Sequence, residues 1–310
     1  MSEKVRWHSI GQYQGNHSLT KEALGTALFR GELVLFLGSG VSAPFGLPQW
    51  NTLLVDCAHD LGISLDPKLL KSKAGALEAA SKIKDVAGSS DAYRSIVSKN
   101  LYKHHNRFAP TALFSAVTSM LSGSVRGKIS TVITLNFDDL LETFLVLGGY
   151  DCQVIKSWPS LTRAADVTIF HPHGFLPKSG GVAEKFYGSS SNIIFSKDEF
   201  GGVLSKTKSE WRQIIGSIIR QKVVLAIGLG AGEPHMRALF VDAFKEVSDR
   251  PLAFWMSRKK EGSTILSGRD QKFYQACNIV PIVLEDFDPQ FPRFIQGICQ
   301  AAARRYKGKL

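Results

Sequence analysis

Residues 34–50 read Val-Leu-Phe-Leu-Gly-Ser-Gly-Val-Ser-Ala-Pro-Phe-Gly-Leu-Pro-Gln-Trp and are the most informative stretch of the chain. A short apolar run ends in Gly-Ser-Gly at residues 38–40, and residues 46–50 open a pattern with helical spacing. A buried strand that feeds a glycine turn and a helix can hold a diphosphate, because glycine allows close backbone approach and amides face the anion. A bare Gly-x-Gly is also typical of a tight turn without a ligand. This stretch alone leaves both interpretations open.

Length and composition indicate a globular protein. The 310 residues suffice for one large domain or two modest ones, and 44% hydrophobic with 21% charged residues is ordinary. Apolar runs stay well short of the ~20 residues of a membrane helix, and the polar N-terminal residues lack a signal-peptide core. We therefore expect a cytoplasmic protein that makes no membrane contact.

The net charge of +11 favours an acidic partner or a polyanion. The basic clusters at residues 258–260 and 304–309 are more typical of a solvated surface and a frayed tail than of a nucleic-acid site. The sequence contains no zinc finger, RNA-binding aromatic signature or obvious helix-turn-helix. Direct nucleic-acid binding is left open.

The four cysteines are widely spaced, at Cys57, Cys152, Cys277 and Cys299. A four-thiolate zinc site needs paired ligands at short spacing, so we expect buried free thiols and no metal.

Short apolar runs alternate with helical patterns along most of the chain. Strands are predicted at residues 33–37, 132–135, 167–170, 223–227, 251–256 and 279–284. Helices are predicted at residues 18–30 with Ser18 as cap, after Pro48 in a first turn, from Asp138 to about 147, and at 207–220, 233–247, 266–277 and 289–305. Continuous apolar strands between helices predict a Rossmann-like α/β fold, a doubly wound parallel sheet covered on both faces.

Residues 62–128 have a different composition, rich in Lys, Ser and Ala with apolar residues at helical spacing. We interpret them as a helical insertion subdomain. Residues 1–30 are then an N-terminal helical segment, and residues 31–61 with 129–310 form the Rossmann-like core. The Gly/Ser-rich residues 178–192 are expected to be mobile.

Four predicted strand ends carry unusual polar residues, where ligands bind in such sheets. They are residues 38–42, 134–138, 171–174 and 228–235. Each has a plain structural explanation as well. Asn136 or Asp138 can cap a helix, Ser42 can be an N-cap, and His173 can be a loop histidine before a turn glycine. Residues 228–232 can simply connect a strand to a helix, with Glu233 favoured by the helix dipole.

Taken together, these motifs resemble those of sirtuins. Gly38-Ser39-Gly40-Val41-Ser42 with the later Gly-Leu-Pro is similar to the sirtuin cofactor loop. Thr134-Leu135-Asn136-Phe137-Asp138 resembles the Thr-x-Asn-x-Asp element, and His173-Gly174 the catalytic His-Gly. The segment from Gly228 resembles the Gly-x-Ser-x-x-Asp-Pro motif of bacterial sirtuin-like proteins, with Gly230 and Glu233 in place of the usual Ser and Asp.

Sirtuin deacylases carry a four-cysteine zinc module, which this sequence lacks. The pattern is therefore similar to the zinc-free sirtuin-like NADases of bacterial anti-phage defence, which hydrolyse NAD⁺ to nicotinamide and ADP-ribose. The resemblance implies NAD⁺ as substrate, no metal, a homo-oligomer and a separate regulatory protein. A DNA-translocating ATPase, an Argonaute-type protein and a nucleotide-handling enzyme are all compatible with it.

The resemblance also implies roles for individual residues. Asn136 would orient a water and the ribose, His173 would accept a proton, and Asp138 would hold the local geometry or contact the nicotinamide side. The residues implied for cofactor binding are Gly38, Ser39, Gly40 and Ser42 at the diphosphate, and Gly228 and Gly230 at the adenosine end. A protein deacylase and a non-catalytic NAD or ADP-ribose sensor remain the alternatives.

Overall fold

The computed structural model describes residues 5–105, 110–123, 128–158, 160, 162–190, 192–196, 199, 209–230, 234–247, 249–259 and 268–307. Its centre is a seven-stranded sheet. The strands are β1 Leu33–Leu37, β2 Thr131–Thr134, β3 Cys152–Ile155, β4 Val167–Phe170, β5 Val223–Ile227, β6 Ala253–Arg258 and β7 Ile279–Leu284.

All neighbouring strands pair in parallel, in the order β3-β4-β2-β1-β5-β6-β7. The predicted Rossmann-like α/β fold is confirmed. β1 lies in the middle, with β2 on one side and β5 on the other, so the chain changes its direction of winding beside β1. In open parallel sheets, this switch point is where a crevice forms beyond the carboxyl ends of the strands.

Helices cover both faces of the sheet. They are α1 Ile10–Tyr13, α2 His17–Phe29, α3 Trp50–Asp60, α4 Lys73–Ala87, α5 Ser90–Leu101, α6 Ala112–Leu121, α7 Leu140–Leu147, α8 Val182–Tyr187, α9 Glu210–Gln221, α10 Pro234–Phe244, α11 Gly268–Ala276 and α12 Gln290–Lys307. Short 3₁₀ turns lie at Ala43–Phe45 and Leu69–Lys71. Within the described ranges, no helix combines the length and apolar composition that crossing a membrane would require.

The two-residue period of β1 divides the core into two layers. Every residue of β1 is buried. Leu33, Leu35 and Leu37 pack with α2, α12 and the helices α3 to α7, whereas Val34 and Phe36 pack with α9, α10 and α11. Because successive side chains of a strand point to opposite faces, an uninterrupted apolar run serves both layers.

The segment between β1 and β2 is helical, and its described residues form no strand. Its apolar side chains, among them Leu53, Ile83, Val97 and Val117, belong to the same apolar cluster as one face of the sheet. α6 also packs against α12. The division into core and insertion subdomain stays a prediction, since these helices share their core with the strands.

Several predicted boundaries are wrong by a few residues. α2 begins at His17, and Asn16 rather than Ser18 caps it, with its side-chain oxygen 3.0 Å from the Leu19 amide. α3 begins at Trp50, so Pro48 lies before the helix instead of in its first turn.

The edge strand β3 was not predicted, because four residues with only their two ends buried give a weak period-two signal. The helix α8 within residues 178–192 was not predicted either, and its Ala183 is buried. The mobility expected for this stretch stays a prediction.

The contact between α2 and α12 gives a testable prediction. A Cβ added at Gly25 would lie 2.5 Å from Ala301 Cβ and 3.0 Å from the Ala301 carbonyl carbon. Gly25→Ala should therefore lower the free energy of unfolding by ~1–3 kcal/mol, as overpacking does in a tight core. Urea denaturation measures the change. The control is Gly11→Ala, whose added Cβ meets nothing within 4 Å, and equal stability of the two variants would contradict the expectation.

Candidate active site

A cleft of about 400 Å³ opens at the carboxyl ends of β1, β2, β4 and β5. This volume lies in the ~300–1,000 Å³ range of small-molecule sites. Of the nine residues that the sequence singled out for this site, eight line the cleft: Gly38, Ser39, Ser42, Asn136, Asp138, His173, Gly228 and Gly230. Gly40 is not among the lining residues, and Glu233 falls outside the described residues.

The loops that follow β1 and β5 approach each other at Gly38, Gly40 and Gly228, which we call the glycine crossing. A Cβ at Gly38 would lie 2.5 Å from the Gly228 oxygen, and one at Gly40 would lie 2.8 Å from the Gly228 Cα. Gly228 itself has a φ of +71°, which side chains rarely allow. The three glycines are therefore required by backbone packing.

The hydrogen bonds at the glycine crossing correct one expectation. The Gly38 amide donates to the Ile227 oxygen at 3.0 Å, and the Gly40 amide donates to the Gly228 oxygen at 3.1 Å. These two amides are thus used inside the protein and do not face an anion. Within residues 38–43, Ser39 is the one whose amide makes no backbone hydrogen bond in the described structure, and this exposed residue lines the cleft.

A chain of three side chains lies at the floor of the cleft. The Asn136 Nδ2 group donates to Ser42 Oγ at 3.0 Å, and the Ser42 hydroxyl bonds to the Asp138 carboxyl. Ser42 precedes the 3₁₀ turn at Ala43–Phe45, but its side chain makes no capping bond. Its role is to connect the amide of Asn136 to Asp138.

Asp138 has an unusual protonation equilibrium. Burial raises its pKa from 3.8 to about 7, and the nearby carboxylates of Glu142 and Asp139 act in the same direction. Hydrogen bonds from Ser42 and the Leu140 amide offset part of this effect. A carboxyl poised near neutrality, in a cleft with an amide and an imidazole, is typical of catalytic sites.

A second buried pair lies beneath Asn136 and was not predicted. His171 Nδ1 is 3.2 Å from the Asn136 carbonyl oxygen, and His171 Nε2 is 2.6 Å from Glu142 Oε1. Because a carbonyl only accepts hydrogen bonds, Nδ1 carries a proton. Both side chains are almost completely buried, so the pair fixes the end of β2 against the end of β4. The sequence did contain a signal, namely a second histidine two residues before His173.

His173 is held by its backbone as well as by its surroundings. Its carbonyl oxygen accepts from the Ile194 amide at 2.7 Å. Gly174 has a φ of +102°, and a Cβ there would lie 2.3 Å from the Asn192 oxygen. Phe195 packs its ring against Trp50, with centroids 4.4 Å apart. The segment 192–195 thereby fixes His173, which is only 5% exposed, at the cleft wall.

The cleft also has lining residues that the sequence analysis did not assign to a site. Trp50, Asn51, Lys71, Ser72 and Lys73 come from α3 and from the turn that opens α4. Lys71, Ser72 and Lys73 lie in a lysine-rich stretch that gave no motif, so only the fold brings these three residues to the strand ends.

The described residues contain no group of three or more His, Cys, Asp or Glu that could hold a metal ion. Burial raises the pKa of the Cys57 and Cys152 thiols to about 12 and that of Cys277 to about 11. Since thiolates are the metal-binding and nucleophilic form, these thiols are suited to packing.

An all-parallel sheet with a cleft at its switch point defines a Rossmann-like α/β protein. Residues 130–282 match the SIR2-like domain family, and this part of the chain is therefore sirtuin-like. This match indicates NAD-related chemistry. It covers Asn136, Asp138, His173 and the β5 loop, whereas the glycine turn after β1 precedes it. Comparison with curated proteins finds no significant match.

Removal of the Glu142 carboxylate should destabilise the fold. Glu142→Ala leaves the buried His171 without its partner and should lower the free energy of unfolding by ~3–5 kcal/mol. Urea denaturation followed by circular dichroism measures this loss. Glu78→Ala, at an exposed position of α4, is the control and should change stability by less than ~0.5 kcal/mol. Similar curves for both variants would show that the pair contributes little.

The raised pKa of Asp138 predicts a pH-dependent stability. The folded state favours the neutral carboxyl, so this contribution is fully present below about pH 4 and is lost as the pH rises through about 7. The difference between 3.8 and about 7 corresponds to about 4 kcal/mol. Asp138→Asn, which stays neutral, should gain stability relative to the wild type over this window. Parallel pH profiles of unfolding free energy would contradict the shifted pKa.

Proposed function

We propose that the protein is an NAD⁺ glycohydrolase, which cleaves NAD⁺ to nicotinamide and ADP-ribose. One observation carries this proposal: the Asn136–Ser42–Asp138 chain and His173 line the same cleft of a chain with a SIR2-like domain. An oriented amide, a carboxyl with a pKa of about 7 and an imidazole are the groups that deliver a water to a sugar carbon.

Cleavage of the bond between the ribose and nicotinamide depends little on a general acid. The bond between the ribose C1′ and the pyridinium nitrogen breaks, and its electron pair neutralises the departing nicotinamide. A water oxygen then forms the new bond to C1′, and its proton must be taken up. The barrier lies in the positive charge that develops on the sugar and in the placement of the water.

The proposal assigns a role to each group. The Asn136 amide orients the water and the ribose hydroxyls, because an amide can both donate and accept. His173 accepts the proton, as an imidazole can near neutral pH. Asp138 acts through Ser42, which keeps the Asn136 amide in one orientation, and its carboxylate form favours the positive charge on the sugar.

The residues of the cleft are compatible with a dinucleotide. Ser39 offers an amide and a hydroxyl at the carboxyl end of β1, beside the glycine crossing. Gly228 and Gly230 add lining without side chains, which leaves room for a bulky ligand beside β5. Trp50, Leu70 and Leu77 line the cleft with apolar side chains, which suit the rings of a dinucleotide.

The proposal extends to regulation. NAD⁺ depletion harms the host cell, so such an enzyme must be restrained until it is needed. On this basis the protein acts in anti-phage defence, as a homo-oligomer controlled by a partner protein. A DNA-translocating ATPase, an Argonaute-type protein and a nucleotide-handling enzyme are the candidate partner classes.

Two substitutions test the assigned site. Asn136→Ala and His173→Ala should each lower kcat for nicotinamide release by about 100-fold or more, the usual effect of losing a positioned proton-transfer group. Liquid chromatography of NAD⁺ incubated with the protein, alone and with the products of neighbouring genes, provides the measurement. His59→Ala, at an exposed position of α3, is the control and should retain full activity.

Other outcomes of this assay would overturn the proposal. Release of O-acyl-ADP-ribose with an acetylated peptide, but no nicotinamide without it, would identify a deacylase. Tight NAD⁺ binding without any product over hours, with every partner tested, would identify a sensor. Full activity of both alanine variants, with unchanged melting temperatures, would refute the site assignment.

A further inference from the structure

A small cavity lies next to the floor of the cleft, where the ends of β1 and β2 meet α6 and α7. Its volume of about 10 Å³ is close to the least that one water molecule needs. Besides apolar walls, it has the polar lining residues Ser42, Thr134, Asn136, Asp138 and Glu142. Since a bound water needs about two to four polar partners, both the size and the lining of this cavity suit one water molecule.

Two of these polar groups still have hydrogen bonds to make. Glu142 Oε1 lies 2.6 Å from His171 Nε2, whereas Glu142 Oε2 is buried and has no hydrogen-bond partner among the described residues. The Thr134 hydroxyl accepts from the Asn136 amide at 3.1 Å, but in the same part of the chain its own proton makes no hydrogen bond. A buried carboxyl oxygen without a donor is costly, so Glu142 Oε2 needs a partner inside the cavity.

The proton balance of the His171–Glu142 pair shows what this partner must be. His171 Nδ1 already donates to the Asn136 carbonyl oxygen, and the short contact of Nε2 with Glu142 Oε1 requires one further proton between them. A proton on Oε2 as well would leave a net positive charge in an apolar interior, which is unfavourable. Glu142 Oε2 therefore accepts, and its partner is a hydrogen-bond donor.

Asp138 faces the same cavity as Glu142. The Glu142 carboxylate contributes to the raised pKa of Asp138, so the two groups interact electrostatically, yet no direct hydrogen bond joins them in the described structure. A water molecule has two protons and two lone pairs. It can donate one proton to Glu142 Oε2 and the other to Asp138, and it can accept the proton of the Thr134 hydroxyl.

We propose that one water molecule binds in this cavity and closes a ring of hydrogen bonds on Asn136. From the Asn136 carbonyl the ring runs through His171 and Glu142 to the water. From the water it returns through Asp138 and Ser42 to the Asn136 side-chain amide. Glu142 is then a positioning residue, because the ring fixes the orientation of the amide. The effect on catalysis rests on the proposed function, whereas the water site does not.

A crystal structure that resolves ordered water tests the site. We expect one water within hydrogen-bond distance of both Glu142 Oε2 and Asp138. Val41→Ile adds one methylene group to an apolar wall of the cavity and should displace this water. Val117→Ile makes the same change at a buried residue of α6 outside the cavity and should leave the water in place. A dry cavity in the wild type, or a direct bond from Glu142 Oε2 to another protein group, would overturn the proposal.

The positioning role has two readouts. In Val41→Ile crystals the Asn136 side chain should lose its single orientation toward Ser42, which needs no turnover to observe. In the NAD⁺ assay the same variant should lower kcat about tenfold with KM changed less than about twofold, because the amide acts on the reaction geometry more than on binding. Val117→Ile should match the wild type in both readouts.

Substitution of Glu142 provides the rescue experiment. Glu142→Gln keeps the ring, since its amide can donate to His171 Nε2 and its oxygen can accept from the water, so kcat should stay within a few-fold of the wild type. Glu142→Leu removes both contacts and should lower kcat at least as far as Val41→Ile does.

Two results would show that the water does not position the amide. One is an unchanged Asn136 orientation in the water-free Val41→Ile structure, and the other is a wild-type kcat in that variant. If the wild type hydrolyses no NAD⁺ with any partner, the proposed function fails. The two crystal structures then still decide the water site and the Asn136 orientation.

Discussion

The close approach of the loops after β1 and β5 is the constraint on which the cleft depends. Gly38, Gly40 and Gly228 come so close that a single methyl group at Gly38 would overlap the opposite backbone. Two backbone hydrogen bonds hold this contact, and Trp255 of β6 adds a third bond, from its indole nitrogen to the Leu229 oxygen at 3.0 Å. The glycine crossing therefore joins the β1 and β5 loops at the switch point of the sheet. The other strand-end residues line the cleft beside it.

Beneath the cleft the protein concentrates acidic side chains in an apolar environment. Asp138, Asp139 and Glu142 are all buried within five positions of one another. Burial raises the pKa of Asp138 to about 7 and also raises that of Asp139. Tyr102 and the Lys178 amide bond to Asp139, and His171 bonds to Glu142. Asp138 bonds through Ser42 to Asn136, a residue that lines the cleft. Asp139 and Glu142 are therefore held by hydrogen bonds to the rest of the fold, whereas Asp138 is connected to the cleft.

The sequence predicted the fold and much of the cleft, for physical reasons that can be named. β1 and β5 are uninterrupted apolar runs that end in glycine, and this pattern has few other interpretations in an α/β chain. Asn136, Asp138 and His173 follow strand ends directly, so the parallel sheet alone brings them to one edge. In contrast, β3 gave too short a signal, and the pairing of Glu142 with His171 depends on how α7 packs against β4. Lys71 and Lys73 lie 60 and 58 residues before the start of β2 in a lysine-rich stretch, where the local pattern cannot distinguish cleft-lining residues from surface residues.

The glycine crossing also explains why a motif can be identified correctly while its chemistry is misassigned. Glycine at residues 38 and 40 was expected to free amides for an anion, since this is how many nucleotide-binding turns work. Here the same absence of side chains serves a backbone contact, and that contact consumes the amides. Ligand binding in this cleft then depends on groups whose positions the turn does not encode. A glycine motif of this kind fixes where the ligand pocket lies, but the side chains that select the ligand depend on the helices packed around it.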